Sequence, residues 1–323
     1  MSNTPTINHH IPVLLNEVVE FCFLSNEKEI NNNKALKIFD GTLGGGGYTQ
    51  AILNYANNQS LSLELTSGDL DASAIKIAME NLVIPNNPNI TFMPKNRNYA
   101  ELIAIFEDKS LDAIVLDLGF SSNQLEVSGR GFSYLKLDEK LDLRYSDEFE
   151  PCYKKLSKIH SKADLGKILY DYSGEQLAGK VAQKIWDCNK KTPTTVGEMV
   201  ELIVSCLNPA TMRKKNQILS RIWQALRIWT NDEFASIRTF LPISIDKLNT
   251  GGRLIIVSFH SLEDKIVTNF MRNLCKPIEL DDYGNKKFDY ELLTTKPLTP
   301  SDNEVIQNSR SRSAILRCVK KCI

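Results

Sequence analysis

The stretch that most narrows what this chain can become is LKIFDGTLGGGGY, residues 36–48. An apolar run, Leu36, Ile38 and Phe39, ends in Asp40. Gly41, Thr42 and Leu43 then lead into four consecutive glycines, Gly44 to Gly47. Behind them Ala51, Ile52 and Tyr55 recur at helical spacing. The order is strand, glycine turn, helix. Four glycines would destabilise the interior of any element, so they serve a turn in which the backbone comes close to something else. A helix starting behind such a turn offers N–H groups to an anion. A flexible surface loop would also tolerate the glycines. However, Asp40 at the strand tip and a second acid, Asp69, after the next apolar run give the layout of a nucleotide-binding βαβ unit. The glycines alone leave the cofactor open.

The alternation continues along the chain. A lead-in helix is predicted over His9–Phe23, with Val13, Leu14, Val18, Val19 and Cys22 on one side, and Asn31–Asn33 reads as a loop. The strand of the glycine unit is Ala35–Phe39. Strands at Leu61–Gly68 and Ile90–Met93 flank a helix at Ala72–Leu82, and a short helix at Tyr99–Phe106 precedes DAIVLDL, Asp112–Leu118. That last run is almost continuously apolar, as expected of a strand buried on both faces. The next comparable run, RLIIVSF at Arg253–Phe259, arrives some 130 residues later, far beyond a crossover connection.

Helical pattern fills the gap: Ala163–Tyr172, Glu175–Asn189, Val196–Leu207 and Ser220–Leu241, the last with Ile222, Leu226, Trp229, Ile237 and Leu241 at helical intervals. The expected class is therefore α/β. A sheet domain, residues 1–127 and 220–323, carries an inserted helical domain, residues 128–219. The helix near Ser220–Leu241 returns the chain to the sheet. A helix at Ser261–Leu274, a polar loop with Asp281, Asp282 and Gly284, and a final strand at Ser313–Val319 close the fold.

Charge is balanced overall, 39 Lys and Arg against 39 Asp and Glu, which does not mark an indiscriminate nucleic-acid binder. It is unevenly placed: within residues 151–230, fourteen Lys and Arg face six Asp and Glu. That segment is a candidate electrostatic footprint for RNA, and a solvated helical face is the rival explanation. No run approaches the ~18 apolar residues of a membrane span, and the first residues lack the features of a signal or transit peptide. Seven scattered cysteines without a C-x-x-C pair fit reduced thiols in a cytoplasmic protein. Nothing has the spacing of metal ligands, so no metal is expected.

Ligands of open α/β sheets bind outside the carboxyl ends of the strands. The strand ends here deliver Asp40, Asp69, Asp117 and His260 to one edge. Asp69 is placed to accept ribose hydroxyls, which suits NAD and S-adenosylmethionine alike. Asp117 is followed by Leu118-Gly119-Phe120 and a polar run, Ser121 to Gln124, rich in donors and acceptors. Such a run suits a site that grips an adenosyl group on one side and a base on the other.

At this point the blocks DGTLGGGGYT, DLGFSSNQL, RGFS, LDLR, QALRIWTN, GGRLIIVSFHSLED and SRSAILR, in this order along the chain, resemble the MraW (RsmH) family. Its members are S-adenosylmethionine-dependent methyltransferases that modify N4 of a cytosine in the decoding region of small-subunit ribosomal RNA. The resemblance implies a Rossmann-like methyltransferase domain with an inserted helical domain. It also implies S-adenosylmethionine as cofactor and rRNA within the assembled 30S subunit as partner.

Carried over by position, Gly46, Gly47 and Tyr48 fall on the family's cofactor turn, Tyr48 standing where many members have a histidine. Asp69 falls on the ribose-binding acid, Tyr99 on an aromatic near the adenine, and Asp117 and Gln124 on the remaining cofactor positions. Asn123 replaces a proline. Asp117 is the first candidate to orient cofactor and amine, and His260 the second, as proton acceptor or substrate contact. Arg130, Arg144, Arg221, Arg227, Arg310 and Arg312 are candidate contacts to the RNA backbone, with helix-surface salt bridging as the alternative for each. An NAD-dependent dehydrogenase, a DNA amino-methyltransferase and a ribosome-associated cofactor-binding scaffold without turnover are the competing readings.

Overall fold

The apolar run ahead of the glycine turn forms β1 (Leu36–Asp40), the third strand of a seven-stranded sheet. The computed structural model describes residues 12–24, 34–126, 128–188, 192–280 and 286–323. β2 (Leu63–Asp69), β3 (Ile90–Asn96), β4 (Leu111–Asp117) and β5 (Leu248–Ser258) run parallel to β1, in the spatial order 3-2-1-4-5. The chain then forms a two-residue ribbon, β6 (Glu279–Leu280) with β7 (Lys286–Lys287), and two further strands of the main sheet, β8 (Tyr290–Leu292) and β9 (Ile315–Lys321). β9 lies antiparallel beside β5, and β8 closes that edge. Strand order reverses direction at β1, because β2 and β4 lie on its two sides. The crevice above such a switch point is where an open sheet binds its ligand.

The helices Leu15–Phe23 and Gly47–Asn58 cover one face. Val18, Cys22, Ile52, Leu53 and Ala56 pack on Ile38, Leu65, Val115 and Ile255. Burying each aliphatic side chain of this kind contributes roughly 1.5–3 kcal/mol. The predicted strands are all present, with ends shifted by a few residues. Sequence periodicity missed β6, β7, β8 and the short helix Asp302–Gln307; two or three residues are too few to show a period. His9, Asn31–Asn33 and the loop with Asp281, Asp282 and Gly284 lie outside the described residues. Among the described residues no helix is long and apolar enough to cross a membrane.

The chain divides into two compact units, residues 1–119 with 236–323, and residues 120–235. These boundaries differ from the expected 127/128 and 219/220, and the second difference traces to the run Ser220–Leu241. It is two helices, Lys215–Asn231 and Glu233–Lys247, separated by Asp232 in the left-handed region at φ 49°. The first packs Ile222, Trp223 and Leu226 into the core of the second unit, against Leu165, Leu169, Val181, Met199 and Ile203. The second buries Ile237, Phe240 and Leu241 and lies almost wholly in the first unit. Within the second unit, Thr195 and Glu198 form a reciprocal capping box that starts the helix Val196–Ser205, and Ser161 caps Lys162–Ser173. Such caps are worth about 1 kcal/mol each.

Candidate methyl-donor site

The sheet carries its carboxylates to the same edge because β1, β2 and β4 each end on an aspartate. Asp40 is fully buried. Its Oδ1 accepts the Thr42 N–H (3.1 Å) and its Oδ2 the Thr49 hydroxyl (2.8 Å), which in turn lies 2.7 Å from Ser67 Oγ. Burial outweighs these bonds and raises its pKa to about 6. Asp69 accepts two backbone N–H groups, Gly44 at Oδ2 and Asp71 at Oδ1, both at 2.8 Å. Each of its oxygens keeps a further lone pair for a ribose hydroxyl. Burial raises its pKa to about 6 as well, against the pull of the two N–H bonds.

Asp117 ends β4 beside this cluster. Its N–H donates to Thr42 Oγ1 at 2.6 Å, which ties the tip of β4 to the glycine turn. Its Oδ1 is buried and has no hydrogen-bond partner. Burial, and after it the charges of Asp40 and Glu263, push its pKa well above the usual carboxylate range. The residue as a whole is half-buried. Gly119 follows at φ 105°, a turn that a side chain would strain.

The glycine turn is tightly shaped. Gly44 and Gly46 have positive φ, 51° and 86°. A Cβ on Gly41 would lie 2.5 Å from Leu116 Cδ2 and 3.0 Å from Tyr99 Cβ. Tyr99 is thus beside the turn, with its ring edge-on to Phe240 at 5.3 Å. Gly45 opens onto free space. Behind the turn the first N–H groups of the helix Gly47–Asn58 have no acceptor within the helix, and no side chain caps it. Tyr48 departs from expectation. Its ring is buried in the core, and its hydroxyl donates to the Val13 carbonyl. Packing has taken the side chain, so only the Tyr48 backbone remains to meet a ligand.

His260 is also placed differently from a free proton acceptor. It is the N-cap of the helix Ser261–Leu274, with Nδ1 3.4 Å from Glu263 N and Nε2 2.8 Å from Glu263 Oε1. Glu263 is buried, and its Oε2 accepts the Phe259 N–H at 3.0 Å. Ring and carboxylate thus close a reciprocal cap of the capping-box kind. Both ring nitrogens lie close to Glu263. Next to it, Asp264 pairs bidentately with Arg317 on β9 (2.7 and 2.9 Å), joining SFHSLED to SRSAILR.

The remaining expected residues belong mostly to the second unit. Gln124 is buried there, its Oε1 accepting the Ser121 N–H at 2.9 Å. Arg130 donates to the carbonyls of Arg144 and Tyr145 (3.1 and 2.9 Å). Arg144 grips Asp142 with two bonds and also reaches Asp147. Arg227 is buried, paired bidentately with Glu233 (2.8 and 3.0 Å), and lies 4.8 Å from the Phe120 ring centre. A buried, fully paired guanidinium cannot reach a phosphate, so Arg227 is corrected from RNA contact to core ion pair. Arg221 is exposed and touches Glu175 at 3.4 Å. In the first unit Arg310 and Arg312 are exposed. Sequence reading missed Thr42, Thr49 and Ser67, whose hydroxyls wire the acids together. The D-G-T triplet was its nearest signal.

These residues fit a cationic nucleoside ligand. The charges acting most strongly on Asp69 and Asp117 are other carboxylates. The orphaned Asp117 oxygen is an acceptor in search of a donor, and the uncapped helix start and open Gly45 leave room for a polar chain. A dinucleotide would instead bring a pyrophosphate to a turn ringed with acids, where repulsion opposes it. Among the described residues no group of three or more His, Cys, Asp or Glu could hold a metal ion.

A model of the MraW methylase family matches residues 7–322. Proteins named ribosomal RNA small subunit methyltransferase H are similar throughout. The one from Rickettsia bellii is 34% identical over 97% of this chain and 98% of its own length. The one from Ehrlichia chaffeensis is 33% identical over 97% and 99%, and that from Heliobacterium modesticaldum 34% over 97% and 98%. The solved structure of an rRNA methylase from Streptococcus thermophilus is similar only distantly, at 11% identity over 94% of each chain and a TM-score of 0.37.

Proposed function

The chain belongs to the MraW methylase family, and from that premise we propose that it methylates N4 of a cytidine in the decoding region of small-subunit rRNA, with S-adenosylmethionine as methyl donor. The observation that carries the reading is the Asp117 carboxylate, which holds one buried, unpartnered oxygen at the tip of β4. When bound, the donor supplies a methyl group on a sulfonium, open to displacement by a nitrogen lone pair. The exocyclic amine of cytosine is a poor nucleophile because its lone pair is delocalised into the ring. Asp117 Oδ1 accepts one N4–H, which localises that pair, and takes the proton as the new N–C bond forms. Asp69 holds the ribose hydroxyls, and Gly46, Gly47 and the Tyr48 backbone hold the polar end of the donor. Tyr99 flanks the adenine, and Gln124 is the remaining cofactor residue by the family's pattern.

The second unit recognises the RNA through its basic surplus, with Arg221, and in the first unit Arg310 and Arg312, as the accessible guanidinium groups. The target base must leave its stack to reach such a site. With no net charge overall, affinity for bare RNA is modest, so the substrate is the assembled or nearly assembled 30S subunit in the cytoplasm. Labelled methyl incorporation should be much faster into intact small subunits than into protein-free rRNA at physiological salt, and nucleoside mass spectrometry should find N4-methylcytidine. Equal rates on a short oligonucleotide would reject recognition of the particle. Methylation of another atom would reject the chemistry, and donor binding without any transfer would favour the scaffold.

A pH dependence follows from the acids. Asp40 and Asp69 titrate near 6 in the ligand-free fold, above their unfolded values. The folded state therefore holds protons that the unfolded chain has lost, and ligand-free stability should decline as pH rises from about 4 to about 6. A cationic donor favours the ionised acids, so its affinity should change the other way. It should weaken by roughly tenfold per pH unit below 6 for each acid that must be ionised. Calorimetry at pH 5 and 7.5, in buffers of different ionisation enthalpy, should show tighter binding at the higher pH and proton release near pH 6. Affinity independent of pH would remove the acids from donor binding.

A further inference from the structure

The segment ahead of the first helix is fastened at three successive residues, two of them onto the start of the helix behind the glycine turn. Pro12 rests against Gly47: a Cβ on Gly47 would lie 2.1 Å from Pro12 Cγ. The Val13 carbonyl accepts the Tyr48 hydroxyl. Leu14 N–H donates to Glu304 Oε1 at 2.7 Å, across 290 residues of sequence. Leu14 also adopts φ 54° and ψ 37°, the left-handed region that L-residues avoid. Its side chain is buried, as is that of Val13, so packing and the Glu304 bond hold a conformation the residue would otherwise leave. Strain maintained by surrounding contacts is characteristic of segments that shape ligand sites. Two of the three contacts fall on Gly47 and Tyr48, the first residues of the helix behind the turn, and the third fixes the Leu14 backbone beside them.

We propose that Glu304 is a positioning residue of the methyl-donor site: through Leu14 N–H it holds Pro12–Leu14 as the wall against which the glycine turn is set. This rests on the donor binding at that turn. Glu304 touches neither the donor nor the reacting atoms; it acts through the turn's shape. Its oxygen is needed as an acceptor, so the amide of glutamine can replace it and a methyl group cannot.

The experiment compares the full chain with Glu304→Ala, Glu304→Gln and Tyr48→Phe. Hydrogen exchange of residues 44–50 is measured without ligand, S-adenosylmethionine affinity by calorimetry, and KM and kcat on small subunits. Glu304→Ala should speed exchange at 44–50 and raise the donor Kd and KM by about tenfold, the worth of one net hydrogen bond. Its kcat at saturating donor and its KM for small subunits should stay near wild type, and Glu304→Gln should restore both exchange and Kd. If Glu304→Ala does not fold, Tyr48→Phe carries the test, because it severs the neighbouring tie and should move exchange and Kd the same way. Unchanged exchange, unchanged donor affinity, or an equal loss in the Ala and Gln variants overturns the inference. A wild-type protein that binds no S-adenosylmethionine would instead overturn the donor assignment itself.

Discussion

Asp117→Ala should lower methyl transfer by about 10²–10⁴ while leaving the protein folded, the range by which a positioned acid or base accelerates a reaction. Two properties make the expectation sharp. The side chain is costly to the ligand-free fold, because burial and the neighbouring charges of Asp40 and Glu263 disfavour its ionised form. The contact it does supply to the fold, the N–H to Thr42 Oγ1, comes from the backbone and survives the substitution. Thermal melts of the variant should therefore match or exceed wild type, and the loss should appear in kcat at saturating donor and RNA. Asp117→Asn, which keeps an acceptor oxygen but no base, should fall between the two. Wild-type turnover by a folded Asp117→Ala enzyme would take Asp117 out of the mechanism.

Arg227→Ala should destabilise the second unit by about 3–5 kcal/mol, the usual consequence of leaving one partner of a buried ion pair alone. Glu233 would keep its charge in a buried site, where the Tyr145 hydroxyl donates to it at 3.1 Å. The Phe120 ring would lose the guanidinium that lies over it. Urea melts followed by circular dichroism should show the loss, and any weakening of RNA binding should track the unfolded fraction. Arg312→Ala, on an exposed side chain, should behave in the opposite way. It should leave stability within about 0.5 kcal/mol, weaken RNA binding, and reduce the salt dependence by about one phosphate contact. A stable Arg227→Ala with a changed salt slope would return Arg227 to the RNA surface.

The contrast between those two arginines shows where reading residues in order stops being sufficient. Both carry a guanidinium, and charge counting treats them alike. Burial separates them, and burial depends on Glu233 and Phe120, six and 107 positions away in the chain. The same holds for Tyr48, whose hydroxyl was committed to Val13 by packing, and for His260, whose ring turns onto the glutamate one helical turn ahead.

What could be read before any folding was whatever has a short period or a local steric rule. Apolar runs marked β1, β4 and β5, since a strand buried on both faces needs little that is polar until its tip. The glycines marked the turn, because Gly44 and Gly46 occupy a region of φ that other residues enter at a cost. The acids at the strand tips followed from those two facts. Only the tertiary structure decided that Asp232 splits the long helical run between two units, that Thr42 ties Asp117 to the turn, and that Glu304 fastens Leu14. These depend on contacts between residues far apart in sequence or on which side of a helix meets a core. A hydrogen bond between positions 290 residues apart leaves no trace in the periodicity of either segment.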